Sequence, residues 1–188
     1  MARWDPGAEE RLRRAALELY LEHGYDNVTV TQIAERAGLT RRSYFRYFPD
    51  KREILFAGSE ALPPALADAI LAADPDAAPL TAVLDALSRI GTRLVEEVDG
   101  VPQRRAVIDA SPELQERERT KTAAITEAIR SALVRRHVSA LTAVLVAELA
   151  TVAFQNAFRQ WTAADGQAGF DRCLREVTEE LRSAFAGT

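Results

Sequence analysis

The chain has 188 residues and a formal net charge of −4, enough length for one large or two small domains with a real core. Taken whole, that sign argues against nucleic acid. Residues 1–56, however, hold ten Lys/Arg against nine Asp/Glu, while the remainder holds fourteen against nineteen, so positive charge is concentrated at one end and the acidic rest discourages non-specific DNA binding. One cysteine, Cys173, excludes an intrachain disulfide and a cysteine cluster for zinc.

The opening MARWDPGAEERLRR is charged and lacks an apolar signal core, so a cytoplasmic chain is expected. No wholly apolar run reaches the roughly 20 residues of a membrane span; Ala143 to Ala147, ended by Glu148, comes nearest. Asp5-Pro6 is a cap followed by a first-turn proline, where the missing N–H costs nothing. Leu12, Ala15, Ala16 and Leu19, continued by Tyr20 and His23, form the apolar stripe of a first helix that Gly24 ends. His23 has no second ligand nearby in sequence and reads as a helix-end residue.

Residues 29–51 read TVTQIAERAGLTRRSYFRYFPDK. Thr29 and Gln32 have capping-box spacing, and Val30, Ile33, Ala34 and Ala37 share one helical face. Gly38 stops that helix in a left-handed conformation, and Thr40 caps the next. Two short helices around a glycine turn are a helix-turn-helix signature. On the second helix Tyr44 and Phe48 face inward behind Leu39. The opposite face carries Arg42, Ser43 and Arg46, with Phe45 and Tyr47 on its flanks and Arg41 in the first turn. From Arg36 to Arg52 six basic residues meet one acid, Asp50. Basic, aromatic and hydroxyl groups interleaved in this way suit phosphates and base edges.

TVTQIAERAGLTRRSYFRYFPDKREIL resembles the DNA-binding signature of the tetracycline-repressor (TetR) family of bacterial regulators, over about Ala8 to Leu55. The resemblance implies that Arg42 and Ser43 face bases and that Thr31, Thr40, Tyr47 and Lys51 hold phosphates. Two positions depart from the family pattern. Phe45 stands where a tyrosine hydroxyl often meets a phosphate, which leaves it packing or a thymine-methyl contact, and Tyr44 is larger than the aliphatic residue expected there.

Pro49 closes the recognition helix, and Asp50 with Glu53 has capping-box spacing for a fourth. Lys51 and Arg52 fall in its first turn, unfavourable for cations unless a polyanion lies there. Ile54, Leu55 and Phe56 pack back on the head. Pro63-Pro64 breaks the pattern, which predicts a kink in the link, and Ala65 to Ala73 resumes it. After the turn-rich Asp74 to Pro79, the stripe Val83, Leu84, Leu87, Ile90, Leu94 and Val98 predicts an amphipathic helix ended by Asp99-Gly100-Val101-Pro102. Gln103 to Asp109 is a short helix with Ala106 and Val107 inward. Ser111-Pro112-Glu113 opens a long helix to about Arg136; its QERERTK part is expected to project into solvent, while Ile125, Ile129, Leu133 and Val134 anchor the rest.

Ala140 to Ala157 is apolar nearly all round, so it is either buried on all sides or shared with a partner. After Asp165-Gly166, a final helix carries the stripe Phe170, Leu174, Val177, Leu181 and Phe185. No segment alternates as a strand would. The fold is therefore expected to be all-α, of about nine helices, with a head at 7–56 (helix-turn-helix core 29–48), and the resemblance implies that 57–188 is a ligand-binding and dimerisation domain.

The resemblance implies a homodimer paired through its last two helices, here Leu145, Val152, Phe170, Leu174, Val177 and Leu181. It also implies a repressor released from a pseudo-palindromic operator in double-stranded DNA by a small molecule. Arg89, Arg93, Asn156 and Arg159, polar on largely apolar helices, with Phe154, Phe158 and Trp161 nearby, are the candidate ligand contacts, and the apolar majority points to a hydrophobic or amphipathic effector. No metal or other cofactor is implied. An enzyme finds no support, for there is no Ser-His-Asp arrangement, metal-ligand spacing or Gly-rich phosphate loop. The acid pairs Glu96-Glu97 and Glu179-Glu180 and His137 at a helix end read as solvated or structural. A helical adaptor that binds protein rather than DNA is the remaining alternative.

Overall fold

The computed structural model describes residues 7–97, 100–164 and 167–186. The expectations for Asp5-Pro6, Val98, Asp99 and Asp165-Gly166, and for the side chains of Glu97 and Phe185, lie outside the described residues. Among those described there are ten α-helices, one 3-10 turn and no strand.

Two compact units are present: residues 1–59 with 103–118, and residues 60–102 with 119–188. A cut at 56/57 therefore does not describe the first unit, because Val107, Ile108 and Leu114 are buried in its core. The phase of the short helix differs from expectation in the same place, with Val107 and Ile108 inward and Ala106 exposed.

The first unit contains α1 (Ala8–His23), α2 (Val30–Arg36), α3 (Arg41–Tyr47) and α4 (Glu53–Phe56), with most of α7 (Val101–Asp109) and the start of α8 (Pro112–Arg135). Leu12, Ala16, Leu19, Ile33, Tyr44, Phe48 and Ile54 fill its core. Ser111 opens α8 as a buried cap, its Oγ accepting from the Leu114 N–H, with Pro112 in the first helical position. The QERERTK stretch does not simply project into solvent. Arg117 pairs with Glu53, and Glu118 with Arg105, all inside the first unit.

The second unit contains a 3-10 turn (Ser59–Ala61) but for its first residue, α5 (Leu62–Leu71), α6 (Pro79–Glu97), the rest of α8, α9 (Ala140–Ala163) and α10 (Phe170–Ala186). Pro63 and Pro64 do not kink a helix; they begin α5, where a missing N–H breaks no bond. The Arg136 guanidinium donates to the carbonyls of Ile70 (3.0 Å) and Ala73 (2.9 Å) at the end of α5, satisfying acceptors that a helix leaves over. Lys121 pairs with Glu60 at 2.8 Å. Ile129 and Leu133 are buried as expected, but Val134 is 43% exposed.

Helix α9 has one buried face, Ala143, Ala147, Ala150, Ala153 and Ala157, whose small side chains let neighbouring helices approach. Its other face exposes Leu141, Val144, Leu145, Leu149 and Val152. By length and composition α9 also passes for a membrane span, although Glu148 interrupts its apolar run. A core helix with such a buried face meets the same criterion.

Candidate nucleic-acid interface

The helix-turn-helix is built by its caps. Thr29 Oγ1 accepts from the Gln32 N–H (3.3 Å) and Gln32 Oε1 accepts from the Thr29 N–H (2.8 Å), a complete capping box that starts α2. Gly38, at φ 68°, turns the chain. Thr40 Oγ1 then accepts from the Ser43 N–H at 3.1 Å and starts α3.

Tyr44 and Phe48 anchor α3 in the core, at 0% and 3% exposure. The large Tyr44 is accommodated because its hydroxyl reaches the Asp50 carbonyl at 3.1 Å. Burial raises the pKa of this phenol, with the Asp50 charge adding to the shift, so it stays a neutral donor.

On the outer face Arg41, Arg42 and Arg46 are exposed, and none forms an ion pair with another described residue. Arg41 lies over the Phe45 ring at 5.5 Å and Arg46 over the Tyr47 ring at 4.9 Å. Arg46 also donates to the Tyr47 hydroxyl at 2.9 Å. Phe45 is 45% exposed, an apolar surface among cations. Thr31 and Thr40 are exposed beside the two helix starts, whereas Ser43 is half-buried and shares a 3.0 Å hydrogen bond with Thr40. Three guanidinium groups that no carboxylate neutralises, beside two capped helix N-termini, form an anion-seeking surface of the kind that suits a duplex backbone.

The other basic residues of the stretch are engaged within the unit. Arg36 bonds Glu22 (3.0 Å) and Glu18 (3.5 Å), which raises its own pKa and lowers that of Glu22. Lys51 Nζ donates to the carbonyls of Tyr25 and Val28, which leaves at most one of its three protons for a phosphate. Arg52 pairs with Asp50 at 2.8 Å and Glu113 at 3.5 Å. Within the chain, carboxylates answer Arg52 and backbone carbonyls answer Lys51. Asp50 accepts from the backbone N–H groups of Arg52 and Glu53, and the Glu53 carboxylate pairs with Arg117.

The seven candidate ligand residues do not converge. Phe154 and Phe158 pack on Phe170, ring centroids 5.2 and 6.3 Å away, and Trp161 packs on Phe158 at 5.8 Å, as part of the second unit's core. Arg89, Arg93 and Arg159 are exposed, and Asn156 donates to the Val152 carbonyl of its own helix. A groove of about 370 Å³ lies elsewhere, between α8 and α9, lined by Thr122, Ala123, Thr126, Val144, Glu148 and Val152 among others. None of the seven lines it.

The six candidate dimer residues also separate. Leu145 (53%) and Val152 (45%) are exposed, whereas Phe170 (1%) and Leu174 (3%) are core, with Val177 and Leu181 packed against that core. On α10 the outer face is charged and paired with itself, Arg172 with Glu176 and Arg175 with Asp171. The groove and the core role of Phe170 both come from how separate helices approach, which a single helix's periodicity does not encode.

The head and its exposed arginines define a helix-turn-helix protein of the DNA-binding class. The family model of bacterial regulatory proteins of the tetR family matches residues 12–57, and that of the MftR C-terminal domain matches residues 77–186. The chain belongs to the tetR family of bacterial regulatory proteins. It is 36% identical over 95 residues to the HTH-type transcriptional regulator TcmR of Streptomyces glaucescens, covering 48% of this chain and 42% of that one. It is 46% identical over 39 residues to the putative mycofactocin biosynthesis transcriptional regulator MftR of Mycobacterium tuberculosis (strain ATCC 25618 / H37Rv), covering 21% and 20%. These matches span less than half the length of the curated relatives.

Among solved structures, NalD of Pseudomonas aeruginosa, described as the secondary repressor of the MexAB-OprM multidrug efflux pump, superposes with a TM-score of 0.66 at 18% identity, over 94% of this chain and 95% of that one. FadR of Bacillus subtilis, in complex with stearoyl-CoA, gives 0.65 at 16% identity over 90% and 95%. A SmeT-triclosan complex gives 0.64 at 17% over 93% and 91%. At these identities the likeness is one of fold.

Proposed function

We propose that the chain is a sequence-specific DNA-binding transcriptional regulator, a cytoplasmic homodimer that represses from a pseudo-palindromic operator until a small molecule releases it. The observation that carries this reading is the outer face of α3, where Arg41, Arg42 and Arg46 are exposed without a carboxylate partner while Tyr44 and Phe48 fix the helix from behind. A cationic face held in one orientation is what groove recognition requires. In support of the dimer, α9 exposes an apolar stripe that a second copy would cover. Two heads related by a two-fold axis would read half-sites about one helical turn, roughly 34–36 Å, or a multiple apart. The relatives named as regulators and repressors, and neighbours holding triclosan or stearoyl-CoA, support the effector-released reading.

Selection of DNA fragments by the purified protein, followed by gel retardation across a salt series, tests this. The expected result is a palindromic site whose binding weakens steeply as salt rises, because each arginine on a phosphate releases counterions. Recovery of no sequence preference, or absence of retardation at low salt, would overturn the reading.

A further inference from the structure

A lone exposed phenylalanine is ordinary on a protein surface, so what matters is where Phe45 stands. It lies on the side of α3 that carries Arg41, Arg42 and Arg46, 45% exposed and outside the core of the head. Two neighbours hold the ring there. The Arg41 guanidinium sits over it, 5.5 Å from its centre, and the Tyr44 ring meets it at 5.6 Å with 80° between the planes. Tyr44 is itself buried and tied to the Asp50 carbonyl, so the surface that Phe45 presents is set before any ligand arrives.

A phenyl ring carries no hydrogen-bonding group, so it adds nothing to the grip on a phosphate oxygen or a polar base edge. In the major groove the apolar group on offer is the 5-methyl of thymine, and phenylalanine is among the side chains that meet it. Arg42 stands three residues before Phe45, which on a helix puts their Cβ atoms about 5–6 Å apart. Successive base pairs lie about 3.4 Å apart. Side chains that close together reach base pairs one or two steps from each other.

We propose that Phe45 is a specificity determinant: its ring reads the 5-methyl group of a thymine one or two base pairs from the position that Arg42 reads. The contact rests on the DNA-binding reading above. Exposed cations attract any duplex, whereas the ring gains only where a methyl meets it, so it adds selectivity rather than general affinity.

Duplexes carrying the selected operator, with each thymine replaced singly by deoxyuridine, test this. The replacement deletes the methyl and keeps every hydrogen-bonding group of the base. By fluorescence anisotropy the wild-type chain is expected to lose about fourfold in affinity at one thymine of the half-site, the effect of burying one methyl-sized group. That thymine is expected within about two base pairs, on either strand, of the position whose preference relaxes in Arg42→Ala. Phe45→Ala should bind the thymine and uracil forms equally. Phe45→Leu keeps an apolar group and should retain part of the difference, and Phe45→Tyr keeps the ring and should retain all of it. Because the ring lies outside the core, the unfolding transition of each variant should stay where it is.

A wild-type chain indifferent to uracil at every thymine, an undiminished uracil penalty in Phe45→Ala, or a sensitive thymine well beyond that distance from the Arg42 position would each overturn the proposal. So would a Phe45→Tyr variant that binds both forms equally and more tightly than wild type, which would assign the position to a phosphate. The two readings fail separately. A chain that retards no duplex sinks the regulator and the methyl contact together, whereas one that selects an operator but ignores uracil sinks the contact alone.

Discussion

The ammonium of Lys51 lies 3.9 Å above the centre of the Tyr25 ring and also donates to the Tyr25 carbonyl at 2.8 Å. With a third contact, to the Val28 carbonyl at 3.1 Å, it fastens the segment that follows α3 to the loop that precedes α2. The two helices of the motif are thus held from behind by one side chain. The backbone of the same residue accepts from the Tyr20 hydroxyl at 3.0 Å, which ties that segment to α1 as well.

Lys51→Met keeps the aliphatic stem and removes the ammonium. It is expected to lower the unfolding free energy by about 2–3 kcal/mol, since a charged hydrogen bond contributes about 1.5–3 kcal/mol and an exposed cation–π contact about 0.5–1 kcal/mol. Urea unfolding followed by circular dichroism measures this. A change below about 0.5 kcal/mol, within the range of an ordinary surface substitution, would mean the lysine is not a fastener.

Arg42 and Arg36 make a contrasting pair, one presented outward and one tied to Glu18 and Glu22. Arg42→Ala is expected to cost about 1–3 kcal/mol on the selected operator and to relax preference at one position, without moving the unfolding transition. Arg36→Ala should leave operator affinity unchanged. Fluorescence anisotropy with matched and single-substituted duplexes reads both, and equal losses for the two variants would remove the distinction between free and engaged arginines.

How much of this was legible in sequence depended on range. The Thr29–Gln32 box, the Thr40 cap and the Gly38 turn involve residues within a few positions of each other, and all were found where spacing placed them. The inward Tyr44 and Phe48 followed from helical phase alone. What spacing could not show was which cations would meet a carboxylate from another helix. Arg36 finds Glu18 and Glu22 across α1, and Arg52 finds Glu113, sixty-one positions later. The groove is hidden for the same reason, because Thr126 and Thr151 meet only when α8 and α9 pack.

Acid should loosen the corner after α3. Burial pushes the Asp50 carboxyl up, but the Arg52 guanidinium and the backbone N–H groups of Glu53 and Arg52 outweigh it and hold the group below its ordinary value. A carboxyl whose pKa is lower folded than unfolded lends stability above the unfolded value, about 3.9, and loses it as pH falls through the folded one. Glu22 is lowered in the same sense, chiefly by its hydrogen bond to Arg36. Denaturant midpoints should therefore hold steady down to about pH 4–5 and fall below it, and in Asp50→Asn the fall should be shallower. An identical pH profile in that variant would show that Asp50 contributes nothing to it.

Gly38 and Gly91 are both required, for opposite reasons. At Gly38 the backbone has φ 68°, yet a Cβ built there meets nothing within 4 Å. Gly91 lies inside α6 with no unusual φ, but a Cβ there would run into the Phe170 ring. The first position limits conformation and the second limits space. Asparagine tolerates the left-handed region well and alanine poorly, so Gly38→Asn should be milder than Gly38→Ala, whose cost is about 1–2 kcal/mol. At Gly91 the order follows volume: alanine should cost about 1–3 kcal/mol or more by overpacking, and asparagine more again. Adding Phe170→Leu to Gly91→Ala should recover part of that loss, a coupling readable in a double-mutant cycle. Pairing Phe170→Leu with Gly38→Ala should give simple additivity. Thermal unfolding of the five single and two double variants decides it, and additivity in the Gly91 pair would mean that the ring does not rest on that helix.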